Sequence, residues 1–195
     1  MKTILKINAS VRYQDSISRQ LVDAIADKIK ASSDHIIERD LNQGIHFVSE
    51  ASLNAVSTET RDRDDEQQEL ATLADAMIEE LLQADTIVLG VPIYNFGPPA
   101  SLKAWADLVA RAGTTFKYSE KGPVGLLENK KVYLVAVSGS TVVDSEIDFM
   151  TPWLRFFLGF IGITEIELIV ADEVFSEEGA NKIKVAHQAI KALTA

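Results

Sequence analysis

Five short apolar segments, each followed by a stretch with helical period or by a loop leading into one, constrain this chain more than any other feature. Two of them, Thr86-Ile87-Val88-Leu89-Gly90-Val91 and Val132–Val137, are apolar without interruption. A strand reads that way when both of its faces are covered, because successive side chains point to opposite sides of a sheet. Lys2–Asn8, His35–Leu41 and Glu165–Ala171 supply three further strands. Helices are predicted over 17–30, 67–83, 101–112, 150–161 and 177–193. In the first, Ile17, Leu21, Ile25 and Ile29 recur at every fourth position, with Asp15 and Ser16 where an N-cap belongs. Pro99 opens the third and Gly113 follows it, the usual asymmetry of helix ends. Residues 42–66 show no period and end in the charge run Arg61–Glu66, which reads as a solvated excursion.

Strands alternating with helices imply parallel βαβ units joined by right-handed crossovers. A closed eight-stranded barrel typically takes about 250 residues, and this chain has 195. The expected fold is therefore α/β: one domain over residues 1–195, an open, doubly wound, five-stranded parallel sheet with helices on both faces.

Charge and cysteine content then narrow the function. The formal net charge is −10, and a surface that acidic repels phosphate backbones and anionic headgroups. Neither nucleic acid nor a membrane is an expected partner. There is no cysteine, which excludes disulfides, thiol redox chemistry and a cysteine nucleophile. His35, His46 and His187 are far apart in sequence and lack ligand spacing, so no metal site is expected. The opening residues carry no secretory signature and no segment reaches the roughly 18 apolar residues of a spanning helix, so a cytoplasmic protein is expected.

In an open α/β sheet, ligands bind beyond the carboxyl ends of the strands, near the point where strand order reverses. Three loops leave those ends. After the first strand, Ser10, Ser16 and Ser18 gather three hydroxyls around a helix start, where unpaired N–H groups and the positive dipole end suit a phosphate; the same residues would also serve as a plain cap and loop filler. Neither a P-loop nor a glycine-rich dinucleotide fingerprint is present. After the third strand, Pro92-Ile93-Tyr94-Asn95-Phe96-Gly97-Pro98-Pro99 flanks an amide with two aromatic rings in a proline-stiffened loop, suited to a flat heteroaromatic ring or to a buried turn. After the fourth strand, Ser138-Gly139-Ser140-Thr141 is small enough to let backbone approach a ligand edge, and is also what ordinary turns contain. Phosphate donors, a planar slot and a small-residue rim on one sheet edge together describe flavin mononucleotide (FMN).

With Ser10…Ser16-x-Ser18, Pro92–Phe96, Leu108-Val109-Ala110-Arg111-Ala112-Gly113 followed by Thr115-Phe116-Lys117-Tyr118, and Phe157-Leu158-Gly159-Phe160-Ile161-Gly162, the chain resembles the FMN-dependent NADH:quinone oxidoreductases, or NADH-azoreductases, once known as acyl carrier protein phosphodiesterases. The resemblance covers nearly the whole chain. It implies a flavodoxin-like fold, a homodimer, one non-covalent FMN per subunit, and two-electron transfer from NADH to quinones and azo compounds, with the chemistry on flavin N5 and no catalytic side chain. Carried over by position, Ser10, Ser16, Ile17 and Ser18 would hold the phosphate. Ile93, Tyr94, Asn95 and Phe96 would line the ring, and Ser138, Gly139, Ser140 and Thr141 its pyrimidine edge. Tyr118 and Phe160 would border the substrate pocket, Phe160 at or near a dimer interface. The last cofactor loop departs from the family's Ser-Arg-Gly-Gly with a following histidine, and Ile17 stands where glutamine is common.

Two other functions fit parts of the sequence. A flavodoxin-like carrier passing single electrons to protein partners suits an acidic surface. A hydrolase suits the serines but lacks a His–Asp arrangement beside them.

Overall fold

The computed structural model describes residues 1–194. In chain order the elements are β1 (Thr3–Asn8), α1 (Ile17–Ile29), β2 (His35–Asp40), α2 (Glu50–Ser57), α3 (Asp65–Gln83), β3 (Thr86–Pro92), α4 (Ala100–Val109), β4 (Phe116–Ser119), β5 (Gly122–Gly125), β6 (Lys131–Val137), α5 (Met150–Phe160), β7 (Glu165–Ala171) and α6 (Gly179–Ala192). Five strands form one parallel sheet in the order β2-β1-β3-β6-β7. The order reverses between β1 and β3, which fixes the ligand edge at their carboxyl ends.

The uninterrupted apolar strands are explained by two cores. Ile87, Leu89, Val132, Leu134 and Ala136 face the layer built by α3, α4 and α5, where Met77, Leu81, Trp105 and Leu154 are buried. The alternate residues Val88, Tyr133, Val135 and Val137 face α1 and α6, against Leu21, Val22, Ile25, Ala186 and Ile190. Period-two alternation thus sends the same strand into both layers, as a doubly covered sheet demands.

Two elements depart from the sequence reading. The excursion over 42–66 is not wholly irregular: it contains α2, packed against α3. Ser49 and Ser52 form a reciprocal capping box, with Ser52 N–H donating to Ser49 Oγ at 3.1 Å and Ser49 N–H to Ser52 Oγ at 2.8 Å. Its buried residues are the small Ser52 and Ala55, so it carries almost no hydrophobic period. The excursion is fastened at its far end, where the Arg63 and Arg111 guanidiniums share the Asp75 carboxylate.

The second departure is an antiparallel hairpin, β4–β5, following α4. It is pinned to the end of α5 by bare backbone. A Cβ on Gly125 would lie 2.0 Å from the Gly162 nitrogen, and Gly162 itself sits at φ +107°. Only glycine fits at either position.

Candidate functional site

At the carboxyl edge, a cleft of about 230 Å³ opens between the loops that follow β1, β3, β6 and β7. A larger cavity of about 450 Å³ lies at the opposite edge, beside Lys2, Asp34, Asp85, Lys131 and Glu165. Most of the charges there are already used: Asp34 accepts from Lys2 N–H, Asp85 from Thr3 N–H, and Lys131 pairs with Glu165 and Glu167. The carboxyl edge differs in gathering three serine hydroxyls at a helix N-terminus beside an apolar wall.

Its first wall is the β1–α1 loop. Ser10, Ser16 and Ser18 are all buried and all line the cleft. Ser16 Oγ donates to Ser10 Oγ at 3.0 Å and lies 3.3 Å from Ser18 Oγ, so the three hydroxyls form one cluster at the N-terminus of α1. Ser16 is the helix N-cap, as the sequence predicts. The loop is held in shape by Arg19, a residue sequence reasoning missed. Arg19 Nη2 donates to the Ser10 carbonyl at 2.7 Å, its Nε to the Arg12 carbonyl at 2.9 Å, and its charge meets Asp40 at 3.0 Å. Burial pushes the Asp40 carboxyl up, but the hydrogen bonds from Arg19 and Asn42 outweigh it and hold the group below its usual value. Asn42 Nδ2 adds a second donor to the Ser10 carbonyl at 2.9 Å.

The second wall is Pro92, Ile93 and Tyr94. Beyond them the chain makes a tight turn in which Tyr94 and Gly97 exchange backbone hydrogen bonds of 3.0 and 3.1 Å. Asn95 and Phe96 hold φ of 48° and 70°. Asparagine tolerates the left-handed region and phenylalanine does not, so the turn stores strain of about 1–3 kcal/mol. Asp15, Asp144 and Glu173 share that conformation, and with Asn95 and Phe96 they sit on this edge of the sheet. Among the described residues with positive φ other than glycine, Asn129 alone lies elsewhere. Strain of this kind collects at functional sites.

The third wall is Val137, Ser138 and Gly139, backed by Val174 and Phe175. Val174 N–H donates to the Ser138 carbonyl and Phe175 N–H to the Gly139 carbonyl, each at 3.0 Å. A Cβ on Gly139 would stand 2.5 Å from the Phe175 ring, which therefore covers the glycine face directly. Ser138 Oγ is used internally, donating to the Thr141 carbonyl and accepting from Glu173 N–H. Val174 and Phe175 were not expected from the sequence. The signal was available, because β7 ends on the same edge as the other three strands.

Of the residues singled out from sequence, Ser10, Ser16, Ile17, Ser18, Ile93, Tyr94, Ser138 and Gly139 meet around this cleft. Asn95, Phe96, Ser140 and Thr141 follow on the same loops but do not line it. Tyr118 and Phe160 lie elsewhere in this chain. Tyr118 is 77% exposed on the β4–β5 hairpin, edge-on to Phe116. Phe160 packs on Phe116 at 4.6 Å and borders a separate groove with Pro123, Gly125 and Phe156. Among the described residues no histidine lines the cleft, so its serines have no imidazole base beside them.

A pocket of neutral hydroxyls at a helix start, beside an apolar and aromatic wall and a glycine rim, fits an organic phosphate joined to a planar ring. The comparisons with known proteins agree. A family model described as a flavodoxin-like fold matches residues 2–194. The chain is 51% identical to the FMN-dependent NADH:quinone oxidoreductase of Erythrobacter litoralis (strain HTCC2594), with 100% of both chains covered. It is 44% identical to FMN-dependent NADH:quinone oxidoreductase 1 of Jannaschia sp. (strain CCS1), again over both full lengths. This chain belongs to the FMN-dependent NADH:quinone oxidoreductase family. Among solved structures, an azoreductase from Bacillus anthracis str. Sterne superposes with a TM-score of 0.89 at 26% identity, covering 98% of this chain and 97% of that one. A second, an FMN-dependent NADH-azoreductase from Bacillus anthracis str. Ames Ancestor in complex with FMN, shares the fold at a TM-score of 0.87 and 21% identity, covering 98% and 96% of the two chains. The departure at Ser138–Val143 therefore occurs within the family's fold, where this chain offers hydroxyls and backbone N–H groups but no arginine or histidine.

Proposed function

We propose that this chain is an FMN-dependent NADH:quinone oxidoreductase and azoreductase acting by a ping-pong mechanism as a cytoplasmic homodimer. The observation that carries this reading is the joining of the three buried serine hydroxyls and the Ile93–Tyr94 wall in one cleft, in a chain half identical to a relative of that name. Bound FMN supplies hydride chemistry at N5, taking two electrons from NADH and giving them to the acceptor. Over one cycle NADH, a proton and a quinone become NAD⁺ and a hydroquinone.

The chain's own residues bind and orient. Ser10, Ser16 and Ser18, with the N–H groups of Ile17 and Ser18, hold the phosphate end. Ile93 and Tyr94 would bound the ring, and the Asn95–Phe96 turn that follows them would bring its backbone N–H groups toward the ring's edge. Ser138 and Gly139 would face the pyrimidine side, with Ser140 and Thr141 just behind them on the same loop. No side chain is assigned as nucleophile, acid or base.

The dimer reading rests on α5. Met150, Thr151, Leu154 and Leu158 are buried against the sheet, yet Phe156 is 77% exposed and Trp153, Phe157 and Phe160 are only partly covered. A helix apolar on its outer side calls for a partner there. With a second copy on that face, Phe160 and Tyr118 would border the neighbour's cleft. A cytoplasmic setting follows from the donor, which is held there. The carrier alternative gains no support from relatives named as oxidoreductases, and the hydrolase alternative none from serines that bond one another.

The ping-pong order rests on the lack of a glycine-rich dinucleotide loop. NADH and the oxidant then occupy the same place above the cleft, and NAD⁺ leaves before the oxidant enters. The test is a yellow holoprotein bleached by NADH without air, with parallel double-reciprocal lines in a matrix of NADH against quinone. A colourless protein that ignores added FMN overturns the flavin reading, and intersecting lines overturn the order. Light scattering should give twice the 21.4 kDa chain mass.

A further inference from the structure

The mouth of the cleft has a chemistry of its own. Val11 and Tyr13 after β1, Phe96 after β3, Ile147 and Phe149 after β6, and Phe175 after β7 are all solvent-exposed apolar side chains on the loops that surround it. The β3 and β6 loops are tied together here, Phe149 N–H donating to the Phe96 carbonyl at 2.9 Å. Apolar residues gathered at one end of a chain of charge −10 form a patch rather than a scatter.

The charge around this patch is of one sign. On the four loops, residues 9–16, 93–99, 138–149 and 172–178, Arg12 is the only lysine or arginine, against eight carboxylates. Arg155 pairs with Asp144 at 3.2 Å and Lys182 with Asp172 and Glu173 at 2.8 and 2.9 Å, while Asp148 is buried and takes backbone N–H groups; Asp15, Glu146, Glu177 and Glu178 carry the remaining negative charge of these loops. Arg12 lines the serine end of the cleft, where a phosphate would offset it. Glu146 is exposed and unpaired beside Ile147.

From this combination we infer that the mouth selects neutral, apolar quinones as electron acceptors and discriminates against acceptors that carry a sulfonate or carboxylate, azo dyes included. The inference rests on the quinone-reductase reading and names the acceptor class within it. An apolar ring lowers the free energy of a neutral aromatic acceptor, while the net negative charge of the mouth slows the encounter of any anion, NADH included, so the discrimination is read between acceptors in the oxidative half-reaction. Specificity here comes from the repulsive element as much as from the attractive one.

The test compares 1,4-naphthoquinone with 1,4-naphthoquinone-2-sulfonate. FMN-loaded protein is reduced anaerobically with one equivalent of NADH and mixed with each quinone in a stopped-flow instrument. The sulfonate withdraws electrons and makes the second quinone the stronger oxidant, so intrinsic reactivity favours it. The expected result is a second-order rate constant on the order of tenfold or more higher for the neutral quinone at low salt. That gap should narrow as salt rises, because the Debye length falls from about 30 Å at 0.01 M to about 10 Å at 0.1 M. Glu146→Lys should narrow the gap at low salt and leave the neutral quinone's rate unchanged. A sulfonate that reacts as fast as the neutral quinone, or a gap indifferent to both salt and Glu146→Lys, overturns the inference while leaving the enzyme reading intact. Failure of NADH to reduce the flavin, or of either quinone to reoxidise it, overturns both.

Discussion

The loops after β1 and β6 face each other across one cleft and are built on opposite plans. In the first, side chains do the holding: a guanidinium and an amide fix the Ser10 carbonyl, and three hydroxyls are left at the surface of the cleft. In the second, the buried Ser138 hydroxyl at the cleft is used internally, and backbone bonds to the β7 loop set the shape. The first loop should therefore be sensitive to what its side chains are. The second should be sensitive to charge brought into it, because its own contribution is a neutral surface.

The hardest test of that contrast is Ser16→Ala/Ser18→Ala. Each hydroxyl facing a phosphate is worth about 1.5–3 kcal/mol as a hydrogen bond to a charged group, so FMN affinity should fall by roughly a hundredfold or more. Fluorescence titration with FMN reads this directly, and a loss below threefold would place the phosphate elsewhere. Next in size is Arg19→Lys. Lysine keeps the charge but not the planar fork that spans Ser10, Arg12 and Asp40, and FMN should bind about tenfold more weakly if one such bond is lost. Unchanged affinity would mean that the loop holds its shape without the fork.

The two loops also differ in how their following helices are capped. Ser16 caps α1 and does not titrate in the working range, whereas at α5 the carboxylate of Asp148, one residue before the N-cap Phe149, accepts from the Met150 and Thr151 N–H groups. Burial pushes the Asp148 carboxyl up, but N–H groups of Thr151, Asp144 and Met150 hold it below its ordinary value of 3.8. A depressed carboxylate contributes stability that is complete above its unfolded value and is lost as pH falls through the folded one. Acid below about pH 4 should therefore loosen α5 before α1, by about 1 kcal/mol for a lost cap. Near-UV circular dichroism of Trp153, on the first turn of α5, should report it. Asp148→Asn, which caps without titrating, should remove that pH dependence.

The smallest effect expected is on potential. Reduced flavin carries negative charge, which the second loop meets with neutral donors alone. Ser140→Arg should raise the two-electron potential by roughly 20 mV, the equivalent of about 1 kcal/mol. No rise in a potentiometric titration would show that the loop's neutrality is irrelevant to the ring.

How far all this was legible in the sequence varies with the physics. The strands and five of the six helices were readable because burial on two faces imposes continuous apolar runs and helical spacing. Helix α2 was not, because its inward residues are serine and alanine, which leave no hydrophobic period. The β4–β5 hairpin was missed because Phe116–Ser119 and Gly122–Gly125 bury only Phe116. At the site, the serines were readable from their place at a helix start. Arg19 and Asp40 were not, since their pairing joins α1 to β2 across 21 residues. Phe175 was within reach from the place where β7 ends, but its contact with Gly139, distant in sequence, was not.

The left-handed turn at Asn95 and Phe96 bears on speed as well as shape. Its conformation is imposed by the Tyr94–Gly97 hydrogen bonds and by Phe149 N–H on the Phe96 carbonyl, all of them made between the protein's own backbone groups. An arriving molecule then has no loop to fold. Association of FMN with the apoprotein should run as one collision-governed event, its observed rate climbing in proportion to ligand concentration without levelling off.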